Sequence, residues 1–463
     1  MTDLSRLESD SMGSIEVSNH ALWGAQTQRA LLNFAIGDDK IPIKLIYALT
    51  TIKKSAAIVN SQLGLLSKSK KDFIVNACKE ILSGLHDKQF PLSVWQTGSG
   101  TQTNMNVNEV ICNIASLSNN HPLGSHNPLH PNDDVNQSQS TNDVFPAAIQ
   151  IASAQEITKH LLPELNQLIN AFEKKSTEWN DIIKIGRTHL QDAIPLTLGQ
   201  EASAWKDQLS TASKRIEESL KELFPLPLGG TAIGTGLNAP QEFGEEIAQI
   251  IANTTKLPFS SAKNKFAIMA SHDGLVNAMS GLKLLAVALL KVVNDLRLLS
   301  CGPRAGFGEL FLPANEPGSS IMPGKVNPTQ CEAMAMVCTQ VIALDNAVTM
   351  AGSAGHLQMN AYKPLIGFNL IQSITLLTNA CKCSRVSMID GIQPNLIKIE
   401  HNLNQSLMLV TSLAPEIGYE KATRIAQYAH EKEITLKEAA RILNYVSESE
   451  FDRIVNPKLM TGP

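Results

Sequence analysis

The 463-residue chain contains 43% hydrophobic and 18% charged residues, a composition typical of folded globular proteins and not of disordered ones. Its formal net charge of −4 provides no broad basic surface, so nucleic acid is not an expected partner. Seven cysteines, an odd number without paired C-x-x-C spacing, indicate reduced thiols and predict a cytoplasmic location.

The length exceeds what one hydrophobic core usually organises, so two or three domains are expected. Residues 1–8 are acidic and lack an apolar centre, which predicts neither a secretory signal nor a transit peptide. The longest apolar run, residues 284–290, lies between two lysines and is far shorter than the roughly 20 residues that span a bilayer. We therefore expect a soluble protein without a membrane partner.

Residues 1–139 are predicted to form an N-terminal, mostly helical domain. Apolar residues with helical spacing predict helices over residues 43–66 and 70–85. Two polar stretches, residues 96–107 and 130–143, follow these helices.

Residues 140–390 are predicted to form a central bundle of long helices. The apolar spacing predicts helices over residues 144–172, 198–223, 271–299, 329–351 and 365–381. The middle of the 271–299 helix is apolar on nearly every face, so other helices must surround it. Because one chain cannot bury several such helices, we predict a helical core that is shared between subunits.

Residues 391–463 are predicted to form a small C-terminal helical domain. Thr435 with Glu438 and Ser447 with Glu450 fit the capping box, in which a hydroxyl and a carboxylate satisfy each other's backbone N–H groups. Strand patterns are nearly absent along the chain. The predicted fold class is therefore all-α.

The first stretch that could carry chemistry covers residues 97–103. Its hydroxyls and glycines can wrap a small anion, above all if Thr103 or Asn104 begins a helix whose dipole favours negative charge. A turn followed by a helix N-cap is the alternative, and this stretch alone favours that alternative.

The second stretch covers residues 130–143. His130 and Asp133 could ligate a metal ion, but H-x-x-D without further ligands is a weak signal, so we predict neither a metal nor a cofactor. Ser140, Thr141 and Asn142 precede the predicted helix and are suited to donating hydrogen bonds. Helix capping is again the alternative.

The third stretch, residues 185–195, has His189 in a polar segment that ends at Pro195 and is predicted to be a loop after a helix. Histidine changes its charge near neutral pH and is a common acid or base. A lone histidine is more often structural, but its place in a polar loop favours a functional role.

The fourth stretch is the loop of residues 318–328. Two glycines and two prolines exclude a helix or a central strand, yet the loop carries two adjacent hydroxyls, a lysine and an asparagine. It is not a nucleotide-binding P-loop, because five residues separate Gly318 from Gly324 and Val326 follows the lysine. Glu332 lies just beyond it, in the first turn of the next helix, where a carboxylate could orient a histidine. The spacing does not identify His189 as its partner, and a plain connector is the alternative for the loop.

Six blocks of the sequence, in the same order and with similar gaps, resemble class II fumarases of the fumarase/aspartase superfamily. The blocks are residues 22–29, 96–107, 130–143, 186–195, 229–236 and 318–332. The resemblance covers nearly the whole chain. It implies a three-domain, all-α fold, a homotetramer with a shared helical core, and active sites that are each built from three subunits around a small dicarboxylate substrate.

The same resemblance implies roles for individual residues. Ser319 is implied as the base, and His189, backed by Glu332, as the other group that handles protons. The residues implied to bind the dicarboxylate are Ser99, Gly100, Thr101, Ser140, Thr141, Asn142, Thr188, Ser320, Lys325, Val326 and Asn327. A secondary dicarboxylate site is implied for His130, Pro131, Asn132 and Asp133. Two departures stand out: residues 125–129 lack the arginine that often accompanies this second site, and Thr141 stands where fumarases more often have serine.

The activity that the resemblance implies is that of a metal-independent fumarate hydratase of the citric acid cycle, the reversible anti-elimination of water from (S)-malate through an aci-carboxylate. Aspartate ammonia-lyase, which performs the same elimination with ammonia as the leaving group, is the alternative. Gly324 and the continuation through residues 329–331 favour malate. A purely structural protein of the superfamily, such as a lens crystallin, is a second alternative.

Overall fold

A computed structural model describes residues 5–462. The helices, numbered in chain order, are α1 Ala25–Asn33, α2 Ile43–Gln62, α3 Lys68–Leu82, α4 Thr101–Ser118, α5 Thr141–Glu156, α6 Leu162–Glu178, α7 Leu198–Ser219, α8 Phe243–Thr255, α9 Lys265–Ala270, α10 Asp273–Leu299, α11 Thr329–Ser353, α12 Lys363–Ser387, α13 Leu396–Gln405, α14 Ala414–Ile417, α15 Tyr419–Lys432, α16 Leu436–Ile442 and α17 Glu448–Ile454. The strands are β1 Ser5–Asp10, β2 Gly13–Ser18, β3 Ile183–Thr188, β4 Gln191–Thr197, β5 Pro225–Leu226, β6 Ser260–Ser261, β7 Leu310–Phe311 and β8 Gln393–Pro394.

The long helices confirm the all-α prediction. Each helix predicted from apolar spacing is present, with ends that differ by up to about six residues, and the helix predicted over residues 144–172 corresponds to α5 and α6. The predicted capping boxes at Thr435 and Ser447 are confirmed, because each hydroxyl accepts the N–H of the third helical residue, whose glutamate accepts the N–H of the cap. A π-helical turn, Ile157–Leu161, joins α5 to α6 and precedes Pro163, which cannot donate a backbone hydrogen bond.

The prediction of a loop over residues 185–195 is wrong, because β3 and β4 form an antiparallel hairpin there. In this hairpin Ile183 lies opposite Thr197, and Thr188 lies opposite Gln191. Lys184 and Ile185 are adjacent and both buried, so the alternation that marks a strand is hidden in the sequence. A second hairpin, formed by β1 and β2, also lies outside the prediction.

The chain divides into two compact units. Unit 1 consists of residues 5–163 together with Lys214–Ala286 and Thr339–Thr378. Within it, α2 packs against α3, α5 and α8. Leu45, Leu49 and Ile52 of α2 are fully buried in its core.

Unit 2 consists of Glu164–Ser213, Val287–Cys338 and the chain from Asn379 onward. Its core near the C-terminus includes Leu413, Ile425 and Phe451, and β3 packs against α13. The three consecutive domains with boundaries after residues 139 and 390 stay a prediction.

Two helices, α10 and α11, are long and apolar enough to cross a membrane by length and composition alone, a test that core helices of soluble proteins also pass. In α11 only 28% of the most apolar window is buried within the single chain. Met336 and Met350 of this helix are 68% and 73% exposed. Exposed apolar surface of this kind is typical of an interaction face, which fits the predicted core shared between subunits.

Candidate active site

The loop before α4 lies against the start of α5 in unit 1. Helix α4 begins at Thr101, before either predicted start at Thr103 or Asn104, and Gly100 caps it in the left-handed conformation with φ 82°. A Cβ atom on Gly100 would lie 2.5 Å from the ring of Phe145 in α5, so a larger residue does not fit. This close approach brings the first turn of α4 next to the N-terminal part of α5.

Hydroxyl groups surround the N-terminus of α4. The Oγ atom of Ser99 lies 2.8 Å from Oγ1 of Thr101, and Ser99 is buried. The Gln96 side chain braces the same turn by accepting hydrogen bonds from the N–H and the hydroxyl of Thr103, at 3.2 and 2.9 Å. The turn therefore presents rigidly held donors at a helix N-terminus, a suitable place for a carboxylate.

The N-terminus of α5 carries the second group of donors. Ser140 is its N-cap and accepts the Asn142 N–H at 3.2 Å, while Asp143 accepts the Ser140 N–H at 3.0 Å, so the capping alternative is confirmed for Ser140. The Ser140 hydroxyl donates no hydrogen bond within residues 5–462, so its proton is available to a ligand. Pro146 has no N–H to give to the Asn142 carbonyl, so this carbonyl lacks its usual intrahelical donor.

Asp143 is 0% exposed and was given no role by the sequence analysis. Its Oδ2 atom accepts the N–H groups of Gly229 and Thr231, at 3.1 and 2.9 Å. The Asn142 side chain donates to the Ala232 carbonyl at 2.8 Å. Burial raises the pKa of Asp143 to about 7, although the hydrogen bonds that it accepts act in the opposite direction. The S-x-x-D spacing from Ser140 is the sequence signal that could have identified it.

A buried lysine, Lys53, interacts electrostatically with Asp143. Lys53 is fully buried and donates to Oδ1 of Asn136 at 2.8 Å. The same oxygen accepts hydrogen bonds from the amides of Asn104 and Asn108, at 3.0 and 3.2 Å. Burial lowers the pKa of Lys53 to about 7, while the charge of Asp143 acts to raise it.

The residues implied for a secondary dicarboxylate site lie at a π-helical turn, Pro131–Val135. Nδ1 of His130 lies 3.3 Å from a carboxylate oxygen of Asp133, which is largely exposed. Asp134 accepts the His130 N–H at 2.9 Å and pairs with Lys70 at 2.8 Å, so the turn is firmly anchored. Within residues 5–462, no three His, Cys, Asp or Glu side chains form a group that could hold a metal ion.

Thr188 and His189 lie at the tip of the β3–β4 hairpin in unit 2. Thr188 pairs with Gln191, and both residues between them, His189 and Leu190, have left-handed φ values of 56° and 59°. This is the arrangement of a type I′ turn, which usually takes Asn-Gly. Each non-glycine residue in this conformation costs about 1–2 kcal/mol, and strain of this kind collects at functional sites. His189 is exposed.

Buried ion pairs fix the base of this hairpin. The Glu309 carboxylate, 0% exposed, accepts a hydrogen bond from Arg187 at 2.7 Å and lies 3.2 Å from the Lys184 ammonium. Lys184 also pairs with Glu201 at 2.8 Å. The Arg187 guanidinium stacks on the Phe307 ring, 4.3 Å from its centroid. Burial acts to raise the pKa of Glu309, but the Arg187 hydrogen bond and the Lys184 charge outweigh it and leave this pKa below its usual value.

The 318–328 loop holds Ser319 in a tight turn. The Ser319 Oγ atom accepts the N–H groups of Ile321 and Met322, at 3.2 and 3.0 Å. Hydrogen bonds donated to this oxygen favour its deprotonated form. The turn therefore supplies the kind of N–H donors that a serine base requires.

The ends of the 318–328 loop are closed by hydrogen bonds. The Gly318 N–H donates to the Lys325 carbonyl at 2.9 Å, and the Asn327 amide donates to the Gly318 carbonyl at 2.5 Å. A cavity of about 380 Å³ is lined by residues that include Ser319, Lys325 and Val326. Ser319 and Lys325 thus line one cavity.

Several contacts that the resemblance implies are not formed or not tested within residues 5–462. Glu332 is exposed in the first turn of α11, and no hydrogen bond joins it to His189 within residues 5–462. The donors at Ser99 and Asn142 belong to unit 1, whereas Ser319 and His189 belong to unit 2. The roles that the resemblance implies for these residues, for Ser320 and for the secondary site stay predictions.

Comparison with known proteins identifies the family. A family model described as "Lyase" matches residues 13–343, and one described as "Fumarase C C-terminus" matches residues 409–462. The chain is 72% identical over 457 residues to a "Fumarate hydratase class II" of Prochlorococcus marinus, covering 99% of this chain and 98% of the relative. The chain belongs to the class II fumarate hydratase family.

Other members of the class II fumarate hydratase family also match this chain over nearly its whole length. The "Fumarate hydratase class II" of Myxococcus xanthus is 52% identical over 99% of this chain and 98% of the relative. The crystal structure of a recombinant class II fumarase from Schistosoma mansoni has a TM-score of 0.96, with 44% identity over 99% of both chains. The sequence comparison and the structure comparison therefore identify the same family, each over 99% of the chain.

Proposed function

We propose that the protein is a metal-independent hydro-lyase that catalyses the reversible anti-elimination of water from (S)-malate to give fumarate. The observation that carries the proposal is the environment of Ser319, whose oxygen accepts two backbone N–H groups at the cavity of the 318–328 loop. The relatives named fumarate hydratase favour water over ammonia as the leaving group.

The chemistry explains why such an oxygen is needed. Water loss requires removal of a proton from C3 of malate, next to a carboxylate, and departure of hydroxide from C2. Proton removal places additional negative charge on that carboxylate and gives an aci-carboxylate. Fixed donors aimed at the developing charge lower the barrier, and Lys325, Asn327 and N–H groups of the loop are suitable donors. Ser319 takes the C3 proton in this scheme.

The remaining implied residues hold the substrate. Ser99, Thr101 and the N-terminus of α5, residues 140–142, supply hydroxyl and amide donors for a carboxylate. Thr188 and His189 are presented at a strained hairpin tip, and His189, backed by Glu332, is the second group that handles protons. The secondary dicarboxylate site of this proposal consists of His130, Pro131, Asn132 and Asp133.

The proposed assembly is a cytoplasmic homotetramer in which each active site combines residues of three subunits. The exposed apolar residues of α11 support a helical core shared between subunits. The reduced thiols support the cytoplasmic location, because all seven cysteines are free within residues 5–462.

The test is Ser319→Ala, assayed by the ultraviolet absorbance of fumarate formed from malate. Loss of a general base should lower kcat by about 10²–10⁴-fold while leaving the oligomer intact. Ser353→Ala is the control, because that exposed hydroxyl donates to the Met350 carbonyl at a helix end and has no role in the proposed site. Near-normal turnover in the Ser319 variant would reject the assignment of the base.

The competing activity is tested with the unmodified protein. Incubation with aspartate in place of malate should give no fumarate. Fumarate from aspartate alone would establish ammonia elimination, and activity with neither acid would revive a purely structural role.

A further inference from the structure

Residues 229–232 form a turn, called here the 229–232 turn. It belongs to the sequence block 229–236, which has no role in the proposed mechanism. Two of its N–H groups, those of Gly229 and Thr231, donate to the same carboxylate oxygen of Asp143. The other carboxylate oxygen accepts the N–H of Ser140, the residue that caps α5. One buried carboxylate therefore joins the turn to the α5 terminus.

The turn is held in a strained conformation. Thr231 has a left-handed φ of 53°, which β-branched residues rarely adopt. It is 5% exposed, and its hydroxyl oxygen has no hydrogen-bond partner among the described residues. A conformation of this kind persists only where the surrounding structure enforces it. The carboxylate of Asp143 contributes by accepting the Thr231 N–H, and backbone hydrogen bonds to Pro227 and Gly230 also hold the turn.

The strained turn determines the direction of a substrate-site amide. The carbonyl of Ala232 can only accept, so the Nδ2 atom of Asn142, 2.8 Å away, must face it. The Asn142 amide is thereby prevented from flipping. Its second Nδ2 hydrogen keeps one fixed direction and remains available to a carboxylate.

We propose that Asp143 is a positioning residue of the dicarboxylate site: it holds the 229–232 turn in its strained form, and the turn orients the Asn142 amide. The inference rests on the proposed function, because the binding role of Asn142 belongs to that function. Asp143 itself acts only through Asn142 and the α5 terminus.

Asp143→Asn is the principal test. The aspartate accepts three N–H groups on its two oxygens, whereas asparagine has one carbonyl oxygen and an NH2 group. The NH2 group must therefore face at least one backbone N–H, and the turn or the cap must move. The measurements are KM for malate and the dissociation constant of succinate, a saturated four-carbon dicarboxylate, by titration calorimetry.

Glu109→Gln is the matched control in the same unit. Glu109 is also a buried carboxylate, and it accepts the N–H groups of Gly24 and Gln26 at 2.9 and 2.8 Å. Burial raises the pKa of Glu109 to about 6. The control therefore removes a comparable charge and comparable hydrogen bonds away from Asn142.

Asp143→Asn should raise KM and the succinate dissociation constant by at least about tenfold, which corresponds to about 1.4 kcal/mol. Glu109→Gln should lower thermal stability to a similar extent and leave both constants unchanged. KM does not depend on how much of the protein is folded, so a merely structural role for Asp143 would lower the apparent kcat alone. Unchanged constants in Asp143→Asn, or equal changes in both variants, would overturn the proposal.

Gly229→Ala provides a second route if Asp143→Asn does not fold. Gly229 has φ +84°, and an added Cβ would lie 2.9 Å from the Gly244 Cα, so the turn must shift while the carboxylate stays. The same rise in both constants is expected, and unchanged constants would contradict the inference. Failure of the unmodified protein to turn over malate would count against the proposed function alone, because succinate binding still tests the positioning role.

Discussion

Replacing Glu309 with glutamine should destabilise unit 2 and displace the tip of the β3–β4 hairpin. The carboxylate is fully buried and neutralises Arg187 and Lys184, at 2.7 and 3.2 Å. It also accepts the amide of Asn402 at 3.1 Å. Glutamine keeps the shape of the side chain but removes the charge that both cations face.

The expected loss of unfolding free energy depends on which of the two cations is left without a partner. Lys184 keeps Glu201 at 2.8 Å, but the remaining ion-pair partner of Arg187 within residues 5–462 is Asp192, at 3.9 Å. Breaking a buried ion pair costs about 3–5 kcal/mol, and the surviving partner of Lys184 places this variant near 3 kcal/mol. Because Arg187 directly precedes Thr188 and His189, a shift of about 1 Å at the tip should lower kcat/KM by about 100-fold.

The assay is urea unfolding followed by fluorescence at pH 7 and at lower pH, together with malate turnover. The pKa of Glu309 lies below its usual value of 4.5, so its stabilisation is present above that pH and is lost as the pH falls through the lowered pKa. The stability difference between the two proteins should therefore be largest at pH 7 and shrink in acid. Asp452→Asn is the control, since Asp452 forms an exposed ion pair with Lys437, and no measurable change is expected.

Two results would refute this reasoning. The first is an unfolding free energy equal to that of the unmodified protein at pH 7. The second is a stability difference that stays constant as the pH falls, because that would show that the charge of Glu309 contributes nothing.

Two further predictions concern titration and assembly. Burial, together with the Lys363 charge, lowers the pKa of His272 from 6.5 to about 3, so its contribution to stability is present above pH 6.5 and is lost as the pH falls toward 3. His272→Asn should flatten the decline of the melting temperature over that range, and an unchanged profile would contradict the assignment. Met336→Lys places a charge on the exposed apolar face of α11 and should shift sedimentation toward smaller species, whereas Leu459→Lys, at another exposed apolar position, should not. Identical sedimentation of the Met336 variant and the unmodified protein would argue against a shared core on that face.

Features set by short-range interactions could be predicted from the sequence. The capping boxes at Thr435 and Ser447 involve partners three residues away, so the local pattern contains the whole interaction. The long helices follow from apolar spacing in the same way. The residue types in the 318–328 loop indicated its chemistry, although the two N–H groups on Ser319 depend on a turn that the sequence does not specify.

Features set by distant partners could not be predicted. The burial of Lys184, which hides the β3 strand pattern, depends on Glu309, far away in the sequence. Of the three N–H groups that Asp143 accepts, one belongs to the neighbouring Ser140 and two belong to the distant Gly229 and Thr231. The pairing of His189 with Glu332 stays a prediction.

The hydrogen bonds at the N-terminus of α5 limit which substitutions could adapt this site to a substrate with a different leaving group. Ser140 and Asp143 satisfy each other's backbone, and Asn142 is tied to Ala232, so exchanging any of them to suit a different substrate would also loosen the helix end. A redesign toward ammonia should therefore keep this terminus intact. In the 318–328 loop, the side chains of Ile321 and Met322 are exposed and have no proposed role, so substitutions there are the less costly starting point.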